Sequence, residues 1–336
     1  MTKKNLNFKK SIVTTKTPLR ISFAGGGTDM PYFYKKYNGA TLSTTIDKFV
    51  YVTVKTHENF GEKYRLNYSE TEILNQVNKI KNLRIKETLK YFKINEPLYV
   101  NTISDLPYNT GLGSSSSFLI GLIKGILSLQ GKTITKQKLA EIAFKIENKI
   151  TKNSLGKQDH YIASFGGMNL INYTKKKIKV TNLKVSQKNE KNLLNNLLFF
   201  FTGKSRSANK NLDQQKKNLK KNTIGLIKLK NSTHLFIKEL KKKDLNLFRV
   251  GKILDNTWKI KRQFTNKISD KYLDNIYNKA LSLGCYGGKL LGAGGGGFFI
   301  FICKKKLHKK VIKKLNECKK INFSLSKKGS ESILID

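Results

Sequence analysis

Alternating and β-branched residues from Ile12 to Phe23 predict a strand that runs into three adjacent glycines, Gly25, Gly26 and Gly27. A strand pair is predicted between Gly39 and Lys55, where Ala40, Leu42 and Thr44 lead into the run Phe49 to Val54. From Glu70 to Phe92 the apolar residues Ile73, Leu74, Val77, Ile80 and Leu83 fall at helical spacing, which predicts one helix. A short strand, Leu98 to Ile103, and a loop, Tyr108 to Gly113, precede an apolar helix that Ser114 to Ser117 open. Leu139, Ile142, Ala143, Ile146 and Ile150 mark a further helix, and another from about Ser154 to Ser164 stops at Gly166 and Gly167. A strand at Met168 to Tyr173 and a Lys-rich hairpin close this half.

The second half reads as a strand at Leu197 to Thr202, helices over Asn209 to Leu240, Leu245 to Arg262 and Asp270 to Leu283, then a glycine-rich strand and turn entering Phe298 to Ile302. Helices and strands in this order suit an α+β protein. At 336 residues two domains are expected, 1–190 and 191–336, sharing a cleft.

Composition narrows the function less than its extremes suggest. Lys and Arg number 66 against 22 Asp and Glu, a formal charge of +44, which raises nucleic acid as a partner. Yet the excess is mostly Lys, spread along the chain beside abundant Asn and Ile, as an AT-rich coding sequence produces. The reading taken is bias plus attraction for anionic substrates, with no nucleic-acid partner. Three scattered cysteines, Cys285, Cys303 and Cys318, form no CxxC pair and fit a reducing compartment. The basic start leads into no apolar stretch, and the apolar segment Phe118 to Leu129 is far shorter than the roughly 20 residues a membrane helix needs. A soluble, cytoplasmic protein with no membrane partner is expected.

Candidate chemistry lies in three glycine clusters, each flanked by strand-like sequence. Pro107 to Ser117, PYNTGLGSSSS, opens a helix with small residues, free backbone N–H groups and hydroxyls, the makings of a phosphate cradle. It has neither GxxxxGK[ST] nor GxGxxG spacing. Gly25 to Gly27 and Gly292 to Gly297 similarly allow close approach of backbone to ligand.

These segments carry a resemblance. Pro18 to Asp29, then PYNTGLGSSSS, then KLLGAGGGGFFIF from Lys289 to Phe301, resemble in order the three motifs of the GHMP kinases, across nearly the whole chain. Within that superfamily, GGGTD, the four serines and GAGGGG are most similar to the D-glycero-D-manno-heptose 7-phosphate kinases, with L-fucokinase domains nearby. Tyr108 and Asn109 depart from it, standing where small residues are commoner.

The resemblance implies an N-terminal domain with the ribosomal S5 second-domain fold and a ferredoxin-like C-terminal domain. It implies ATP and Mg2+ as cofactors, transfer to the anomeric hydroxyl of a heptose 7-phosphate, and a place in nucleotide-activated heptose and surface polysaccharide synthesis; a kinase of an unphosphorylated sugar is the alternative, and a homodimer is left open. By position, Gly111, Leu112, Gly113, Ser114, Ser115 and Ser116 would bind ATP, and Ser115 and Glu147 would hold magnesium. Asp159 would be the catalytic carboxylate that accepts or orients the acceptor proton, and Arg20 would stabilise charge on the transferring phosphoryl group or lower the pKa of Asp159. Gly26, Gly27, Asp29, Gly294 and Gly295 would contact the sugar. An Arg20–Asp29 ion pair bracing the loop is the structural alternative. For a phosphate already on the substrate, Lys204 and Arg206 in TGKSRSA are the candidates. His160 is read as a hydrogen-bonding neighbour and Trp258 as core or cleft wall.

Overall fold

A computed structural model describes residues 12–59, 61–152, 155–205 and 208–335. Its first layer grows from two long antiparallel strands, β1 (Ile12–Ala24) and, after the glycine turn and α1 (Pro31–Tyr37), β2 (Gly39–Thr56). The strand pair predicted between Gly39 and Lys55 is therefore one continuous strand. The register is broken twice: between Pro18/Arg20 the partner moves from Phe49 to Thr45, so the extra residues lie in β2 opposite Leu19, and between Ser22/Ala24 it moves from Ser43 to Leu42, so the extra residue, Phe23, lies in β1.

The helix predicted over Glu70–Phe92 is replaced in its first half by a hairpin of β3 (Tyr64–Asn67) and β4 (Thr71–Leu74). Glu72 decides this locally. Its buried carboxylate accepts from the Tyr68 hydroxyl at 2.8 Å and from the backbone N–H groups of Lys81 at 2.7 Å and Asn82 at 3.1 Å, and a helix through residue 72 would abandon all three. Helix α2 (Leu83–Phe92) starts only where the Asn82 side chain caps it.

β5 (Leu98–Ser104) then inserts between β2 and β3. α3 (Ser114–Leu129) lies on β1 and β2 and is covered in turn by α4 (Lys136–Ile150) and α5 (Gln158–Phe165), so it is apolar almost all round. β6 (Met168–Tyr173) pairs with the start of β2 and with β7 (Ile178–Asn182).

α6 (Gln187–Asn195) leads to β8 (Leu197–Phe201). The helix predicted over Asn209–Leu240 is broken at Asn218 into α7 (Ala208–Lys217) and α8 (Leu219–Leu240), followed by α9 (Leu247–Arg262) and α10 (Lys271–Ser282). β9 (Gly287–Leu290), β10 (Phe298–Ile302), α11 (His308–Lys314) and β11 (Lys319–Lys320) complete a four-stranded antiparallel sheet in the order β11-β8-β10-β9. Its helix-covered face is a core in which Trp258 packs edge-on to Phe299 and against Tyr277, so Trp258 is core.

The chain ends in β12 (Leu325–Ser326) and β13 (Glu331–Ile335), which pair with β2 and β1. Residues 325–335, which a division after residue 190 puts in the second domain, thus sit in the first sheet. They staple the two halves, and between those halves lies the cavity described next. Among the described residues no helix is long and apolar enough to cross a membrane.

Candidate active site

The three glycine clusters converge on one cavity of about 310 Å³. Its phosphate-loop wall is Gly111, Gly113, Ser114, Ser115 and Ser116. Gly113 opens α3 with φ 78° and leaves the first turn without a side-chain cap, so helix-start N–H groups face a space bordered by cations. Leu112 is buried beneath this wall, and its carbonyl accepts the Arg20 N–H at 3.1 Å. The third cluster presses on the second: a Cβ added at Gly292 would stand 2.4 Å from the Gly111 Cα, a contact that only glycine permits.

Arg20 and Asp159 meet in a bidentate pair, Nε to Oδ1 and Nη2 to Oδ2, both 2.8 Å. Arg20 also donates through Nη1 to the Gly111 carbonyl, which ties the carboxylate to the phosphate loop. A Cβ at Gly113 would come within 3.3 Å of the Asp159 carboxylate. The alternative Arg20–Asp29 pair is not what forms. Asp29 instead accepts from the Gly27 N–H at 3.0 Å and the Gln158 N–H at 2.9 Å, anchoring the first turn of α5. Burial pushes the Asp29 carboxyl above its ordinary value and the nearby Asp159 adds to this, while the two N–H groups pull the other way.

Glu147 is fully buried. Oε1 accepts from Arg84 Nε at 2.8 Å and pairs with Nη2 at 2.6 Å, while Oε2 meets the Ser116 hydroxyl at 2.9 Å and His160 Nε2 at 2.7 Å. Burial alone would raise this carboxyl, but Arg84 and His160 outweigh it and hold Glu147 well below the carboxylate range. The serine bonded to Glu147 is therefore Ser116, with Ser115 beside it on the cavity wall. An ionised carboxylate next to serine hydroxyls, with the part-exposed Arg84 guanidinium on one oxygen and His160 on the other, supplies the hard oxygen donors of a divalent cation site completed by phosphate oxygens and water. Among the described residues no cluster of three or more His, Cys, Asp or Glu could hold a metal by itself.

On the remaining walls stand Gly26, Gly27 and Asp29, with Gly294 and Gln215 opposite. The Gln215 amide nitrogen is buried with no partner among the described residues. Gly295 does not line it and donates its N–H to the Ile268 carbonyl at 2.8 Å. Lys204 does not line it either. Its ammonium pairs with Asp270 at 2.9 Å over the Tyr272 ring, and Arg206 lies outside the described residues. Besides Arg20, the cavity is lined by the cations Arg84, Lys261 and Lys289, which were not among the sequence candidates. Lys261 carried a readable signal, since it follows Val250, Leu254 and Trp258 on the buried face of α9.

Two family models match the chain, GHMP kinases N terminal domain over residues 64–167 and GHMP kinases C terminal over residues 236–320. The sequence is 30% identical to D-glycero-alpha-D-manno-heptose 7-phosphate kinase of Campylobacter jejuni over 95% of this chain and 98% of that one. It is 25% identical to a galactokinase of Pyrococcus furiosus, covering 88% and 90%. Among solved structures, a D-glycero-D-manno-heptose 1-phosphate kinase from Bacteroides thetaiotaomicron shares the fold with a TM-score of 0.78, at 22% identity over 96% and 98% of the two chains.

Proposed function

The chain belongs to the GHMP kinases, ATP-dependent phosphotransferases, and we propose that it phosphorylates the anomeric hydroxyl of D-glycero-D-manno-heptose 7-phosphate to give the 1,7-bisphosphate. The observation that carries this reading is the Arg20–Asp159 pair facing the start of α3 across one cavity. A proton acceptor and a phosphate cradle stand there at a separation set by Gly113, and the similarity to a heptose 7-phosphate kinase over nearly both full lengths supplies the acceptor.

In this reading the ATP phosphates lie along Gly111, Gly113 and Ser114 to Ser116, where backbone N–H groups and hydroxyls bind them. Asp29, Gly27 and Gln215 orient the sugar so that its anomeric oxygen meets Asp159. Asp159 takes the hydroxyl proton, the oxygen bonds to the γ-phosphorus, and the bond to the β,γ-bridging oxygen breaks with its electron pair leaving on ADP. Magnesium, when bound with ATP at Glu147 and Ser115 or Ser116, would neutralise charge on the β- and γ-phosphate oxygens. The work of this chain is positioning and electrostatics. The cytoplasm, where ATP is available, is the assigned compartment.

An ADP-release assay with ATP and Mg2+ against a sugar panel tests this. The heptose 7-phosphate is expected to exceed fucose, galactose and mannose in kcat/KM by at least about 100-fold, the discrimination a site gains from pairing with a polar group that its competitors lack. A free sugar turned over as well as the heptose phosphate would overturn the acceptor and leave the kinase.

A further inference from the structure

Arg20 cannot do alone what a transferring phosphoryl group requires. Nε and Nη2 are held by Asp159 and Nη1 by the Gly111 carbonyl, so most of its fork is committed to keeping the carboxylate and the loop in place. The charge that builds on the phosphoryl oxygens needs a cation with free donors.

Two buried lysines line the same cavity. Lys289 Nζ lies 3.4 Å from the Phe23 carbonyl, behind the first glycine turn. Lys261, in the last turn of α9, sends its ammonium to the Gly292 carbonyl, where the third glycine cluster presses on Gly111 of the phosphate loop. That carbonyl takes one of three N–H donors, and among the described residues no carboxylate forms an ion pair with either lysine. A buried ammonium with two idle donors, at the junction of phosphate loop and catalytic pair, is an anion site awaiting its anion.

We infer that Lys261 is a catalytic residue whose ammonium donates to an oxygen of the phosphoryl group while that group passes from ATP to the acceptor. The inference rests on the proposed roles of the phosphate loop and Asp159. The charged groups facing Lys261 are Arg20 from β1, Asp29 from the turn after it, Asp159 from α5 and Lys289 from β9. Burial first, and then Arg20, push the Lys261 ammonium down to about 8 against the pull of Asp29 and Asp159. A kinase that needs this ammonium charged loses rate as the pH rises past that value.

The test compares Lys261→Met and Lys261→Arg with the wild-type chain in full kinetics, thermal unfolding and slow ATP hydrolysis without sugar. Lys261→Met should lower kcat about 100-fold, the loss typical of one oxyanion-type donor, with both KM values within about threefold and no fall in Tm. Lys261→Arg should recover part of kcat and move its alkaline decline to higher pH, because a guanidinium stays charged. A raised acceptor KM at unchanged kcat would overturn the inference and give the lysine to the acceptor's own phosphate. Lost rate with a matching fall in Tm would overturn it too, leaving a strut beneath Gly292. Should the heptose assignment fail, sugar-free ATP hydrolysis still reports on Lys261, expected to fall in Lys261→Met and, if unchanged, refuting its role.

Discussion

The cavity holds two arginine–carboxylate pairs that are reversed copies of each other. In Arg20–Asp159 the guanidinium is buried, 5% exposed, and the carboxylate reaches the cavity at 26%. In Arg84–Glu147 the carboxylate is buried, 1% exposed, and the guanidinium reaches the cavity at 31%. The buried member of each pair is the firmly held one and the exposed member is the one turned towards the open cavity. A kinase needs both orientations: a carboxylate turned to the acceptor hydroxyl, and positive charge turned to the phosphates.

The largest effect should come from removing the carboxylate that faces the ligand. Asp159→Asn is expected to lower kcat by about 10³-fold, within the range for a lost general base, with little change in the ATP KM. Single-turnover phosphoryl transfer checks this. A fall of less than tenfold would mean that the acceptor proton leaves by another route and that Asp159 serves mainly to hold Arg20.

The buried carboxylate should act on stability as well as on magnesium. Glu147→Gln leaves Arg84 and His160 facing a neutral amide, and removing the charge from a buried carboxylate with Arg84, His160 and Ser116 as partners costs about 3 kcal/mol for the network as a whole. Because the folded state holds Glu147 below the ordinary 4.5, its contribution is complete above that value and is lost as the pH falls below it. Unfolding by urea at stepped pH should show the gap between wild type and Glu147→Gln narrowing on acidification. Asp29, raised by burial, works in the opposite sense, its contribution being lost as the pH rises; taking the difference between the two proteins cancels it. A gap independent of pH would show that Glu147 acts by packing alone.

The sequence carried most of this site and little of its electrostatics. Gly25 to Gly27, the GLGSSSS loop and GAGGGG are legible because close backbone approach demands glycine at fixed places, and the structure brings all three together. Arg20, Asp29, Glu147 and Asp159 were legible through the motifs around them. Which carboxylate Arg20 would choose stayed open between Asp159 and Asp29, because 139 residues separate it from Asp159 and only the packing of α5 against β1 unites them. Lys261 was hidden by abundance. Among 66 basic residues a TGKSRSA loop looked more like a phosphate site than one lysine in a helix, yet Lys204 has its own carboxylate in Asp270 and Lys261 forms no ion pair among the described residues. The hairpin at Tyr64–Leu74 was missed for a similar reason, since the buried acceptors of Glu72 lie across a turn from their donors.

The smallest effect tests the exposed member of the second pair. Both Glu147 oxygens are engaged, Oε1 by Arg84 and Oε2 by Ser116 and His160, so a cation that bound through Oε1 would displace the guanidinium. That guanidinium is nearly one-third exposed, and solvent limits such a pair to about 0.5–1 kcal/mol, or roughly two- to fivefold in an equilibrium constant. Arg84→Gln should therefore lower the Mg2+ concentration for half-maximal rate by about that factor. The same shift should appear without catalysis, as a Tm rise at lower Mg2+ in the presence of a non-hydrolysable ATP analogue. If Arg84 works chiefly by binding the phosphates directly, the variant will need more ATP and more Mg2+ rather than less, and the sign of the change separates a guanidinium that yields to the metal from one that works beside it.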